Sequence, residues 1–510
     1  MKRRQFVKSI LLGTGAVSFS SSLSGCSGQS IPAATQPLRI PSLIDSREEN
    51  LDVHINIQHG THAFFDGVKS TTKGYNGDYL GPTVRFYDGQ DTRMRFTNNI
   101  GEETTVHGHG LHVPGSVDGG PSNVILPGEV WDVTLPIRQQ ASTNWYHPHL
   151  MGKTAEQVHA GLAGLYLIED ENSLSLPIPK TYGVDDIPLT IQDRTFSNGR
   201  MKPYSATMDQ IMSGVLESTP TVNGTVNAFV NVPTGWVRLR LLNGSNARIY
   251  EFYFQGNLPF FKIATEGGFL ESPVPITKMT MAPGERNEIM VDFSDGQTRA
   301  LMAVFRAPSA DNEPLFIRDK KRVLELRPDS SKKGEGTLPD TLHTTSSFKK
   351  AWKADRASVT RNFMLNMVMD NTDDKAQQKG NHPNHAAHSE EASAHIAMMH
   401  MFGINGKSMS RTRIDERIKK GDIEIWRIEV DEMKHPFHMH GTSFMILQHN
   451  GALPNPEDQV WKDVVVVDEG VTDIIMKFDF EATDQHPYMY HCHILEHEDA
   501  GMMGQFTVTG

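Results

Sequence analysis

The sequence predicts an all-β protein of three β-sandwich domains in tandem. Three observations carry this. From about residue 50 the chain reads as short β-branched runs broken by Gly, Pro and Asn, with little helical periodicity. At 510 residues it is too long for one hydrophobic core. One pattern also occurs three times, an Asn-Gly turn signal followed by an alternating strand.

The three passes run in order. Tyr75-Asn76-Gly77 precedes the strand after Gly89, Val222-Asn223-Gly224 the strand after Gly235, and Ile404-Asn405-Gly406 the strand after Gly421. Leu126-Pro127-Gly128-Glu129 is echoed by Ala282-Pro283-Gly284-Glu285. Repeats of this length mean tandem domains, not a solenoid. The expected domains are 45–172, 180–328 and 355–510, with the polar stretch Pro328–Pro339 as the second linker.

Residues 1–30 read as a targeting segment. Arg3-Arg4-Gln5-Phe6-Val7-Lys8 resembles a twin-arginine export signal, and the apolar run Ile10–Phe19 is too short to span a membrane. Leu23-Ser24-Gly25-Cys26 looks like a bacterial lipobox, so the expectation is a periplasmic protein held at the membrane by lipid on Cys26. Net charge is −12 without any basic block, which argues against nucleic acid and suits cationic substrates. With Cys26 lipidated, Cys492 is the one remaining thiol. A lone thiol in an oxidising compartment is a liability unless a metal holds it.

The metal chemistry is unevenly spread. The first domain carries His107-Gly108-His109 and His147-Pro148-His149; the third carries His435-Pro436-Phe437-His438-Met439-His440 and His491-Cys492-His493. The second has no histidine between residues 180 and 328 and reads as a spacer. Four His-x-His pairs supply eight imidazoles, suited to a cluster of several metals. His435, Cys492, His497 and Met502 make a complete mononuclear copper set of imidazoles, thiolate and thioether. On a strand, Cys492 faces one way and its neighbours the other, which suits electron relay.

With these motifs, and with Val117-Asp118-Gly119-Gly120-Pro121, Gly161-Leu162-Ala163-Gly164-Leu165 and His497-Glu498-Asp499, the chain resembles the multicopper oxidases, most of all the periplasmic copper efflux oxidases. The resemblance runs from about residue 40 to the C-terminus. It implies three cupredoxin-like Greek-key domains and four copper ions. Type 1 copper falls to His435, Cys492, His497 and Met502. Type 2 falls to His107 and His438. The type 3 pair falls to His109, His147, His149, His440, His491 and His493. Asp118 and Glu498 match the family's acidic proton carriers, though they also read as carboxylates that orient imidazoles. The family usually has tryptophan at Gly108, so packing around the cluster is expected to differ here.

The resemblance also implies oxidation of Cu(I) coupled to four-electron reduction of dioxygen. Asp431, Met433 and Met367 match residues that hold a substrate copper; Asp373 or Asp370 must supply a second acid. Residues 381–401 hold five histidines and three methionines and read as a metal-gathering insertion. The alternatives are a laccase-like oxidase of phenols or other organic reductants, a copper buffer, or a division or scaffold protein of this fold. Such scaffold relatives have lost copper ligands, and none is missing here. The chain is expected to act as a monomer.

Overall fold

The computed structural model describes residues 34–308, 320–343, 354–368 and 400–510. Six of its sheets pair around three cores. A four-stranded and a five-stranded sheet enclose a core from Val53 to Ile168. A six-stranded and a seven-stranded sheet enclose one from Leu38 to Leu326, and two five-stranded sheets enclose one from Phe363 to Val508. The strand Asp52–Phe65 shows the cause: Val53, Ile55 and Ile57 are buried and the residues between them are not, as the two-residue period requires, and further along burial passes to the opposite phase at His62 and Phe64.

The Asn-Gly repeat is one device used three times. Asn76, Asn223 and Asn405 all have positive φ, which a left-handed turn requires and Asn tolerates. Each side chain clamps a strand far off in sequence. Its Oδ1 accepts from the backbone N–H of Asn56, Thr190 and Met364 respectively, at 2.7, 2.7 and 2.8 Å. Its Nδ2 donates two residues further back, to the carbonyls of His54, Pro188 and Asn362 at 2.9, 2.9 and 3.0 Å. The Pro-Gly-Glu echo is likewise one turn. Gly128 and Gly284 have φ of 82° and 84°, and Glu129 and Glu285 each accept from the N–H three residues back.

Two boundaries differ from expectation. The strand Lys320–Lys333 continues past residue 328 into the expected linker. It stays in the sheet because Ala228–Thr234 pairs with it in parallel along that length. Upstream of the first sandwich, Gln36–Pro37 adds to the other side of Ala228–Thr234, and Leu38 enters the middle core. The helix Leu495–Asp499 ties the sandwiches together. Asp499 accepts from the N–H groups of Thr154 and Ala155, and Glu496 from Asn246 Nδ2 and the Val215 N–H.

Candidate metal centre

Two adjacent sites are built from the sequence motifs. His435 opens the strand His435–Met439, Cys492 closes the strand Tyr488–Cys492, and Phe437 pairs with Cys492. His435 Nδ1 lies 3.3 Å from Cys492 Sγ, His497 Nδ1 lies 3.7 Å from it, and the two Nδ1 atoms are 3.3 Å apart. The Met502 carbonyl accepts from the Cys492 N–H at 3.1 Å, and its N–H donates to the His497 carbonyl at 2.9 Å. Cys492, His497 and Met502 are buried in the third core. His497 Nε2 donates to the Met212 carbonyl at 3.3 Å, which turns Nδ1 toward the sulfur. Burial pushes the Cys492 thiol well above its usual value and His497 down to about 4. A cation is therefore needed to draw out the thiolate at neutral pH.

The eight remaining histidines converge where the first and third sandwiches meet. His107 Nδ1 donates to the Asp118 carbonyl at 2.9 Å and His438 Nδ1 to the Asp463 carbonyl at 2.8 Å. Both Nε2 atoms are buried without a hydrogen-bond partner. His147 and His491 are pinned likewise through Nδ1, to the Pro148 and Cys492 carbonyls. His109 is reversed: Nε2 donates to Asp463 Oδ1 at 3.2 Å, and Nδ1 faces His147 Nε2 at 3.4 Å. His491 Nε2 lies 3.2 Å from His149 Nε2 and 3.4 Å from His440 Nε2. His493 has both ring nitrogens buried and unpartnered. Donor atoms from His107, His109 and His147, from His107, His438 and His440, and from His149, His440 and His491 form groups within 4.8 Å.

Desolvation holds His109, His147, His149, His438 and His491 well below the usual imidazole range, with His440 at about 4 and His493 at about 3. All these rings are neutral at pH 7, the state that binds metal. Orphaned, inward-facing nitrogens beside a buried thiol are the donor set that copper takes.

Both acidic residues stand at this cluster. Asp118 Oδ2 accepts from His440 Nδ1 at 2.7 Å. Gly119 makes this approach possible: its φ is +80°, and a Cβ there would lie 1.8 Å from the Val106 carbonyl oxygen. Burial raises the Asp118 carboxyl, but the His440 and His107 rings outweigh it and hold the group below its ordinary value. Glu498 spans His149 Nδ1 and His491 Nδ1, each 3.3 Å from one of its oxygens but out of line for hydrogen bonds. Burial pushes the Glu498 carboxyl well above its ordinary value, with Asp499 and Glu496 nearby adding to the rise.

Two family models described as multicopper oxidase match residues 56–173 and 375–510. A laccase-like multicopper oxidase of solved structure, CueO of Ochrobactrum sp., is 37% identical, with 92% of this chain and 100% of that chain aligned at a TM-score of 0.80. This chain belongs to the multicopper oxidase family. A Pediococcus acidilactici laccase is 30% identical over 94% of this chain and 95% of its own, at a TM-score of 0.76. Among curated relatives, the cell division protein FtsP of Escherichia coli K12 is 35% identical across 100% of this chain and 99% of its own length. FtsP of Dickeya dadantii is 35% identical across 99% and 98%.

As a multicopper oxidase, the chain answers the question raised by Gly108. A Cβ at Gly108 would lie 2.6 Å from Leu111 Cδ1 and 3.1 Å from its Cγ, so buried Leu111 occupies that space. The substrate-side residues are drawn together in part. Leu365 pairs with Val430, and the Asp431 N–H donates to the Leu365 carbonyl at 3.2 Å, which sets Asp431 beside the strand that ends on Met367. Met367 is 38% exposed, while Met433 packs against the core that holds Cys492. Cys26, Asp370, Asp373 and residues 381–399 lie outside the described residues.

Sequence reasoning missed Asp463, Arg286 and Met212. The middle domain is more than a spacer: Met212 bonds His497, Arg286 bonds Asp463 through both carboxylate oxygens, and a Cβ at Gly284 would lie 2.8 Å from His493 Cδ2. Trp-Lys-Asp at 461–463 carries no metal-ligand spacing, and Gly284-Glu285 reads only as the turn echo ahead of Arg286, so neither points to a metal site.

Proposed function

We propose that this protein is a copper-dependent oxidase that couples one-electron oxidation of Cu(I) to four-electron reduction of dioxygen to water, and so protects the periplasm from copper. The observation that carries this is the buried convergence of all twelve expected ligand residues, with the Nε2 atoms of His107 and His438 orphaned. His435, Cys492, His497 and Met502 would hold type 1 copper, His107 and His438 type 2, and the other six histidines the type 3 pair. Copper there would supply electron uptake at the sulfur and dioxygen reduction at the histidines.

The chain's own residues supply the rest. Cys492 is covalently continuous with His491 and His493, the shortest route between the sites. Glu498 stands against two cluster histidines, placed to carry protons to them, and Asp118 orients His440 through Nδ1. On the reductant side, His497 is fully buried with its outer nitrogen capped by Met212, whereas Asp431 and Met433 lead directly into His435. That arrangement supports a small soft cation entering at His435 over an aromatic ring stacking on His497. Export by the twin-arginine route and a lipid anchor on Cys26 belong to the same reading. No helix among the described residues is long and apolar enough to cross a membrane.

Two observations favour other readings. The Ochrobactrum enzyme is described as oxidising lignin model compounds, which supports activity on phenols. The full-length likeness to FtsP supports a role in cell division. One experiment separates the three: steady-state oxidation of Cu(I) and of a phenol on the same copper-loaded sample. The cuprous reading expects higher kcat/KM for Cu(I). Faster phenol turnover overturns it in favour of the laccase-like reading, and copper without turnover of either substrate favours a non-enzymatic role.

A further inference from the structure

Arg286 belongs to the domain without copper ligands, yet it is fully buried beside the histidine cluster. Its guanidinium is fully engaged. Nε donates to the Thr143 carbonyl at 3.0 Å. Nη1 donates to the Gly284 carbonyl at 2.9 Å and to Asp463 Oδ1 at 2.7 Å. Nη2 donates to Asn144 Oδ1 at 2.9 Å and to Asp463 Oδ2 at 2.6 Å. Each partner leads to the cluster. Thr143 and Asn144 lie on the strand Ser142–His147. Asp463 accepts from His109 through its carboxylate and from His438 through its carbonyl. Gly110 leaves the space: a Cβ there would lie 2.4 Å from Arg286 Nη2 and 2.6 Å from Asp463 Oδ2.

Stability alone does not explain this pair. A buried ion pair gains little over apolar groups of the same shape. What it supplies is direction, because a planar fork with fixed donor angles holds a carboxylate at a set position and tilt. Asp463 in turn decides which nitrogen His109 presents. With Nε2 donating to the carboxylate, Nδ1 is left to face the other histidines, the reverse of His107, His147, His438 and His491.

We propose that Arg286 is a positioning residue through which the middle domain sets the copper cluster, fixing His109 and His438 by way of Asp463. This rests on the reading of the eight histidines as a copper centre. It makes the cluster a product of all three domains.

The test compares Arg286→Lys, Arg286→Met and the double variant Arg286→Met/Asp463→Asn, the last leaving no unpaired buried charge. Copper per chain, the visible thiolate band and the type 2 electron paramagnetic resonance spectrum are measured on each purified protein. The expected result is an intact visible band in all three, since His435, Cys492, His497 and Met502 make no contact with Arg286. Arg286→Met and the double variant should lose at least half of the cluster copper and show an altered type 2 spectrum. Arg286→Lys, which keeps the charge but not the fork, should follow Arg286→Met. Full cluster copper with a wild-type spectrum in any variant overturns the inference. So does parallel loss of the visible band in the double variant, which reports general unfolding. A wild-type protein with no type 2 signal overturns the copper reading beneath it instead.

Discussion

Replacing Gly108 with alanine adds one carbon at a site with no room for it. The new Cβ would lie 2.6 Å from Leu111 Cδ1 and 3.1 Å from Cγ. Ordinary carbon contacts fall at about 3.5–4.0 Å, so the Leu111 methyl must move by roughly 1 Å. It has little space to do so, because Leu111 is buried in the core with Val106, Val113 and Ile125. Overpacking of this kind costs about 1–3 kcal/mol. At about 2–4 °C per kcal/mol for a domain of this size, the melting temperature should fall by about 2–12 °C. Leu111→Ala alone removes buried volume and should cost about 2–5 kcal/mol. The double variant Gly108→Ala/Leu111→Ala should lose less than the sum of the two, with a coupling of about 0.5–3 kcal/mol. Thermal unfolding of the four proteins, with copper content measured on each, checks this. Strict additivity, or a Gly108→Ala protein that melts with wild type, would show that Leu111 does not fill the space the family gives to tryptophan.

Cys492→Ser should abolish both the intense visible band and oxidase turnover while the chain stays folded; a variant that keeps the band removes the sulfur site from the account. Asn223→Ala should cost about 3 kcal/mol or more, because its clamp on Thr190 and Pro188 is buried, whereas Asn76→Ala at the exposed equivalent should cost about 1–2 kcal/mol. Equal losses in denaturant titrations would refute that distinction. The copper-free protein should lose stability as pH falls from about 6.5 toward 4. His112, His440 and His497 sit at about 4 when folded, so only the unfolded chain binds those protons in that window. Asp499, raised to about 7, opposes this in part, and a flat urea midpoint between pH 6.5 and 4 would defeat the argument. Mass spectrometry of exported protein should find lipid on Cys26, and an unmodified N-terminus beyond it would exclude the anchor.

What the sequence made legible was whatever repeats or sits close in the chain. The Asn-Gly turns were visible because the same clamp is built three times from adjacent residues. The His-x-His pairs were visible because strand geometry fixes a two-residue spacing. Asp463 and Arg286 were not, since one is 177 residues from the other and their meaning lies only in what they touch. The end of the middle domain was misjudged for a related reason. Pro328 and the polar residues after it read as linker, but the segment stays paired with Ala228–Thr234 on one side, while on the other Arg299–Arg306 pairs only as far as Leu326 and leaves room for a proline.

The two proposed copper sites differ in what must fold before they exist. His435, Cys492, His497 and Met502 come from one domain, and the core that holds Cys492 and Met502 is mostly that domain's own, with Ala247 and Met212 of the middle domain packed against it. The histidine cluster is drawn from the first and third domains and oriented from the second, so no domain can form it alone. Assembling it without metal is unfavourable. His107 Nε2, His438 Nε2 and both nitrogens of His493 are buried with no protein group to bond, at about 1–3 kcal/mol each. Glu496, Asp499, Arg286 and Asp463 bond across the same domain boundaries and offset part of that cost. Metal at the cluster would remove the remainder. Copper loading is therefore coupled to domain docking more strongly at the cluster than at the sulfur site, which the middle domain meets only from outside, through the Met212 carbonyl on His497.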